Sequence, residues 1–213
     1  LPKIWAVGEN GMVMYRVSDV NGNPSWTTLD LGLSEYNLNS VFFMKGDAHY
    51  GWIVGEKKAA PDKYAGIFRR TTDGGSTWIT ATSIPGNLPL GTAFKSVSFA
   101  DDGMGYMGCA NGMVLRSLDY GANWSRTPSN PVSTADNMSI WYHSVYTPQG
   151  NSQQVRVSGD NSGVIVESTD GGATWNTPVV QPLSVLTPPI SYQWPANTYF
   201  DYPLALAPPS VLS

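Results

Sequence analysis

Cysteine is all but missing from these 213 residues. Cys109 stands alone, so no intrachain disulfide and no cysteine-built zinc site can form. A single thiol suits a reducing compartment and a bacterial envelope equally well. Histidine is nearly as scarce: His49 and His143 leave little for a zinc site, and neither sits beside a nucleophile motif of the Ser–His–Asp kind. Charge is thin at 13% of residues, with a net −4 and no basic cluster larger than Arg69-Arg70. A nucleic-acid footprint would need a basic patch and is excluded. No apolar run approaches membrane-spanning length. The chain opens Leu1-Pro2 with neither an initiator methionine nor a signal-like segment; it is expected to be a processed or excised piece whose targeting signal is gone.

What the chain has in quantity is glycine and tryptophan, 22 and 8 residues, and they recur in order. Thr72 to Trp78 reads TDGGSTW, Ser168 to Trp175 reads STDGGATW, and Ser117 to Trp124 gives the looser SLDYGANW. A lengthened copy runs from Ser18-Asp19 through Gly22 to Trp26. The four tryptophans, Trp26, Trp78, Trp124 and Trp175, lie 52, 46 and 51 residues apart, a period that marks a repeat architecture. Asp-Gly-Gly between strand-like runs is a hairpin signal, because glycine supplies positive φ without steric cost. The aspartates Asp19, Asp73, Asp119 and Asp170 can accept backbone N–H groups two or three residues on. The glycines Gly75, Gly121 and Gly172 turn the chain, and each tryptophan offers a flat apolar face to bury between sheets.

Around each turn lie short runs rich in Val, Ile, Phe, Tyr and Thr, bounded by Gly, Asn or Asp. The second unit predicts strands at 39–44, 50–56, 66–71 and 77–82. The third predicts 94–100, 105–109, 113–117 and 123–127; the fourth, 140–147, 154–159, 164–168 and 174–179. The first unit offers only 4–8, 12–17 and 26–29, with no counterpart of the innermost strand.

The turn motif resembles the Asp-box, or BNR repeat, Ser/Thr-x-Asp-x-Gly-x-x-Trp, found in sialidases, sortilin-type receptors and some glucanases. The phrases WAVGENG from Trp5 to Gly11 and WIVGE from Trp52 to Glu56 make the chain most similar to propellers of the photosystem II assembly and stability factor type. The resemblance spans roughly residues 3–180. It implies an all-β fold, a β-propeller of about four Asp-box blades with four antiparallel strands each, the first incomplete, belonging to a larger propeller or assembly. It implies a scaffold or binding role and carries no implication of photosynthesis.

Residues 1–180 are therefore expected to form propeller blades and 181–213 a Pro-rich apolar extension, or a linker to a further domain. Eight of the sixteen prolines fall between Pro178 and Ser213. Yet Tyr192, Trp194, Tyr199, Phe200 and Tyr202 are too apolar for a solvated linker. The extension is expected to pack, against this propeller, another protein or further copies of the chain.

The candidate binding face is the one opposite the boxes, where Glu9, Glu56 and Asp160 recur just after the second strand of their units. Three carboxylates around an opening could hold a cation or sugar hydroxyls; equally, each could end a strand and contact its own turn. A sialidase would need an arginine triad and paired carboxylates. Arg16, Arg70 and Arg116 each precede a box aspartate by three residues, a spacing that suits a repeated blade feature better than one asymmetric site. No catalytic residue, metal site or cofactor is predicted, and Asp101-Asp102 reads as a solvated turn before a Ca²⁺ site. The expectation is a non-catalytic module that binds protein, secreted, periplasmic or at a bacterial surface. The alternative is a carbohydrate-active propeller, either glycan-binding or a sialidase-like glycosidase fragment.

Overall fold

The computed structural model describes residues 3–18, 22–60, 63–81, 83–85, 88, 92–131, 140–159 and 165–176. Asp19, Asp160 and the whole 181–213 extension lie outside the described residues. Four separate antiparallel sheets follow one another along the chain, as blades of a β-propeller. The first is β1 (Ile4–Val7), β2 (Val13–Ser18) and β3 (Pro24–Thr28); the second is β4 (Asn37–Phe43), β5 (Gly51–Ala60) and β6 (Lys63–Thr71). The third is β7 (Phe94–Phe99), β8 (Gly105–Cys109), β9 (Val114–Ser117) and β10 (Ser125–Arg126); the fourth is β11 (Tyr142–Tyr146), β12 (Val155–Gly159) and β13 (Ile165–Ser168). In every blade the strands pair in chain order, as short connections dictate.

The box follows β2, β6, β9 and β13, so β1 to β3 are the second, third and fourth strands of the first blade. Its innermost strand is the missing one among the described residues. Blade 2 carries the longest hairpin, because β5 and β6 stay paired as far as Ala60 and Lys63.

In blades 2 to 4 the fourth strand keeps few pairs among the described residues, whereas in blade 1 it is the full strand β3. Blade 2 keeps a single bridge, Arg70 to Ile79, blade 3 keeps the two residues of β10, and in blade 4 Asn176 N–H donates to Glu167 O at 2.9 Å. After blades 2 and 3 the chain turns to pin the next blade. Ser83 N–H donates to Ala122 O at 3.4 Å and Ser83 O accepts from Trp124 N–H at 2.9 Å. Ser129 repeats this one blade on, its O accepting from Trp175 Nε1 at 3.1 Å.

Apolar residues from facing sheets form three clusters, one per pair of consecutive blades. Val13, Leu33, Leu38 and Ile53 join blades 1 and 2. Trp52, Val54, Phe68, Phe94, Phe99, Met107 and Leu115 join blades 2 and 3, with the Trp52 and Phe99 rings stacked at 3.7 Å. Tyr106, Val114, Tyr142, Val155, Val157 and Val166 join blades 3 and 4. Among the described residues, none of these clusters joins blade 4 to blade 1.

That asymmetry corrects the expectation that all box tryptophans are buried. Trp124 is 4% exposed, but Trp26 is 47% exposed, while Trp78 and Trp175 are half-buried. Trp26 sits on the face of blade 1 that no described sheet covers.

Candidate functional site

The box itself is a closed hydrogen-bond device, and its hub is a hydroxyl. Thr71, Ser117 and Ser168 are each buried. Each hydroxyl donates to the box carboxylate, at 2.7, 2.9 and 2.8 Å, and accepts the N–H of Gly75, Gly121 or Gly172 at 2.9, 2.9 and 2.8 Å. The carboxylate then accepts from the residue four positions on, not two or three. Thr77 N–H and Oγ1 bind Asp73 at 2.9 and 2.6 Å. Asn123 and Thr174 do the same for Asp119 and Asp170. Asn123 is the asparagine of an Asn-Trp-Ser triplet, and its amide is held inside the box.

These bonds favour the ionised carboxyl. The Thr77 hydroxyl and N–H, with Thr71, hold Asp73 well below the usual carboxylate range. The Thr174 hydroxyl and N–H, with Ser168, bring Asp170 down to about 2. For Asp119 burial pushes upward, but the bonds from Asn123 and Ser117 together prevail and the net direction is down.

Two further contacts tie the boxes of blades 2 and 3 to the blade before them, while in blade 4 the second box glycine, Gly172, lies against Thr127 of blade 3. The second box glycine has positive φ, +82° at Gly75 and +75° at Gly121, and it also lies under an aromatic ring of the preceding blade. A Cβ on Gly75 would come within 2.3 Å of Trp5, and one on Gly121 within 2.6 Å of the Trp52 indole nitrogen. Arg70 Nη1 donates to Tyr120 O at 3.3 Å, and Arg116 Nη1 to Gly171 O at 2.8 Å. Those arginines are blade-to-blade staples.

Arg16 is not the third member of that set. Trp5 covers Gly75 as Trp52 covers Gly121, and Trp5 pairs with Tyr15 whereas Trp52 pairs with Arg70. Tyr15 therefore holds the staple position. Lys3 supplies the bond, its Nζ donating to Gly74 O at 3.2 Å while lying over the Trp5 and Tyr15 rings. Arg16 instead occupies the position of the box hydroxyl, opposite Trp26.

Box turns hydrogen-bond the first turn of their own blade: Gly74 N–H to His49 O, Tyr120 N–H to Gly103 O, Gly171 N–H to Gln153 O. A shallow cleft of about 500 Å³ lies on this side, lined by Lys3, Trp5, Phe43, His49 and Asp73 among others. Phe43 stacks on Trp5 at 5.0 Å and Trp78 meets its edge at 5.7 Å, so the indole is already enclosed by its own blades.

The opposite face carries the more ordered polar array. Each innermost strand breaks register at one residue: between Leu38 and Ser40, between Phe94 and Ser96, and between Tyr142 and Ser144. The bulged residues are Asn39, Lys95 and His143, and a bulge re-aims its side chain away from the sheet. The three recur as Asn39-Ser-Val, Lys95-Ser-Val and His143-Ser-Val.

Asn39 Nδ2 donates to Phe94 O at 2.8 Å and to Glu56. Lys95 Nζ donates to Glu56 Oε1 at 2.6 Å, both side chains being buried, and lies 4.5 Å from the Trp141 ring centre. Trp141 and His143 are 6.4 Å apart. The result is a row from Glu56 through Asn39, Lys95 and Trp141 to His143 that crosses blades 2, 3 and 4. Glu56 is thus an internal counter-ion to Lys95, in a pair whose desolvation is offset only because both partners are present. Glu9 is exposed in the 3₁₀ turn Glu9–Gly11 of blade 1. No hydrogen bond or ion pair joins Glu9 to Glu56 among the described residues, and Asp160 lies outside them. Cys109 is buried, and burial pushes its thiol far above the ordinary range, which makes it unreactive.

A family model for the photosynthesis system II assembly factor YCF48 matches residues 18–187. The photosystem II assembly lipoprotein Ycf48 of a Synechococcus species is 26% identical, covering 83% of this chain and 46% of that protein. A xyloglucanase of a Paenibacillus species is 30% identical, covering 82% of this chain and 20% of that protein. The solved GH74 xyloglucanase from Xanthomonas campestris shares the fold, with a TM-score of 0.54 at 16% identity over 82% of this chain and 29% of that one. The chain spans less than half the length of these curated relatives.

Proposed function

The chain belongs to the family of the photosynthesis system II assembly factor YCF48, and on that premise we propose that it is a non-catalytic propeller that binds a protein partner. The contact surface is the face opposite the boxes, centred on Asn39, Lys95, Trp141 and His143, with Glu9 and Glu56 on the same side. The observation that carries this reading is the state of Glu56. Among the described residues it is the one buried carboxylate, and it is bound to Lys95 and Asn39. Both its oxygens are engaged inside the protein, Oε1 by Lys95 and Oε2 by Asn39, so it is committed to its own blades. What the row offers instead is amide, imidazole and indole groups, suited to the polar backbone of a peptide segment. That the Synechococcus relative is a lipoprotein supports the reading of a secreted, periplasmic or cell-surface place for this chain.

A carbohydrate-active reading is favoured by the 30% identity to a xyloglucanase. The two separate in one set of measurements: binding to a displayed peptide library and to xyloglucan, with hydrolysis of xyloglucan followed in parallel. Selected peptides whose binding drops at least tenfold in Lys95→Glu and His143→Ala, with xyloglucan unbound and uncleaved, is the expected result. Turnover of xyloglucan that Glu56→Gln abolishes would overturn it.

A further inference from the structure

The turn between the second and third strands of a blade lies on the face opposite the boxes, and blade 2 lengthens it. In blade 3 Tyr106 and its cross-strand partner Arg116 are ten residues apart, as are Trp5 and Tyr15 in blade 1. The matching pair of blade 2, Trp52 and Arg70, is eighteen apart. Aligning the two phrases shows where the extra residues enter. Blade 1 reads WAVGENGM from Trp5 to Met12. Blade 2 reads WIVGE from Trp52, then KKAAPDKY from Lys57 to Tyr64, then AGI from Ala65. The tight turn Glu9–Gly11 of blade 1 is thus replaced in blade 2 by an arm. Lys57 pairs with Ala65, Lys58 with Tyr64 and Ala60 with Lys63; the connection Pro61-Asp62 lies outside the described residues.

The arm is a ribbon of two strands. β4 stops pairing at Asn37, opposite Glu56. Tyr36, which would oppose Lys57 next, has turned away: its N–H donates to Leu33 O at 2.8 Å and its O accepts from Gly11 N–H at 2.7 Å. Among the described residues, the β5 edge from Lys57 to Ala60 therefore gains no third strand from its own sheet. A ribbon of two strands is marginal in water, and an unpaired edge is a template for another chain. At the base, Lys57 donates to Glu35 Oε2 at 2.8 Å and lies over the Tyr36 ring.

Composition decides what kind of chain that edge admits. The insert holds three of the six lysines, Lys57, Lys58 and Lys63, against one carboxylate, Asp62. Lysines along an edge deter apolar strands, and like charges placed opposite one another deter the same arm of a second copy. A strand with carboxylates at alternate positions meets neither barrier. Laid on this edge, it would also continue the line of β4, whose bulged Asn39 opens the polar row. Glu56, at the foot of the arm, is bonded to Lys95 in that row.

We propose that the arm docks the partner by strand addition. An extended acidic segment of the partner protein pairs with the β5 edge over Lys57–Ala60 and runs on toward Asn39, Lys95, Trp141 and His143; this deepens, and rests on, the reading that this face binds a protein segment.

The test uses peptides selected on the whole chain from a random library displayed on phage. They should carry Asp or Glu at alternate positions. Excising Lys57–Tyr64 together with Ala65→Asn recreates the Glu-Asn-Gly turn of blade 1 and should weaken their binding at least about tenfold, with circular dichroism as the check on folding. Lys58→Glu with Lys63→Glu keeps the arm, and should weaken them as much and turn the selection toward basic peptides. In a synthetic copy of a selected peptide, N-methyl groups on alternate residues should abolish binding in one frame and leave it in the other, because only one edge of an added strand faces the arm. Peptides that bind the excised chain unchanged, that lack an excess of carboxylates, or that tolerate both N-methyl frames would overturn the proposal. If their binding still falls in Lys95→Glu, the peptide-binding face stands without the arm. A library that yields no binder would overturn both.

Discussion

Blade 3 and blade 1 share a motif but differ in what covers it. Blade 3 has four strands, a neighbour on each side, and a box tryptophan that is 4% exposed. Among the described residues, blade 1 has three strands and a neighbour on one side, with Trp26 exposed on the other. Burial of the box tryptophan is therefore a property of the joint between blades, and the box only aims the ring. The same contrast holds for the glycine. Gly121 turns the chain and lies against Trp52, while Gly22, at φ +81°, has nothing within contact distance of its missing Cβ.

The comparison breaks most sharply at the two tryptophans. Trp124→Ala empties a site packed by Phe68 and Phe99, and should cost about 3–5 kcal/mol as a large-to-small core change. Trp26→Ala, at a side chain 47% exposed, should cost about 1 kcal/mol or less. Both are best measured by chemical denaturation. Equal losses would show that the box, and not the joint, sets the contribution of its tryptophan.

Next in size are the glycines. Gly121→Ala must place a Cβ in left-handed backbone, roughly 1–2 kcal/mol, and also displace the Trp52 indole, about 1–3 kcal/mol of overpacking. Gly22→Ala should show the backbone cost alone. A thermal melt that ranks the two equally would remove the interblade role assigned to Gly121.

The blade repeat was legible because turn chemistry is local. Asp, Gly and Trp at fixed offsets specify a hairpin whatever surrounds them, and the late start of the first unit was visible as a missing run. Several features were not read because they arise only when one sheet meets the next. Arg70 and Arg116 were recognised as a repeated blade feature, but their carbonyl partners belong to the following blade. Arg16 was grouped with them by counting back from Asp19, whereas the pairing of Trp5 with Tyr15 shifts the register by one. Two signals were present and unused. The first is the Ser or Thr that opens each box, which proves to be the buried hub. The second is the x-Ser-Val triplet at Asn39, Lys95 and His143, the only mark of the bulges that build the polar row.

The smallest expected effect concerns acid. The box carboxyls of blades 2 to 4 have folded values below the ordinary one near 4, Asp170 at about 2, through bonds that only the ionised form accepts in full. A depressed folded value means that the unfolded chain takes up protons first as pH falls. The stabilisation is therefore complete above pH 4, and for Asp170 it drains away between about pH 4 and pH 2. These carboxyls are solvent-facing, so the effect is a shallow slope in melting temperature and not a cliff. Asp170→Asn should lower the melting temperature at pH 7 and flatten the slope below pH 4, and Ser117→Ala should do the same for the Asp119 box in blade 3. Arg16→Ala, at the equivalent register in blade 1, carries no titrating group in this range and should leave the slope as it is. A slope unchanged in both blade 3 and blade 4 variants would mean that the box turns hold without their carboxylates, and the difference between the two kinds of blade would then rest on packing alone.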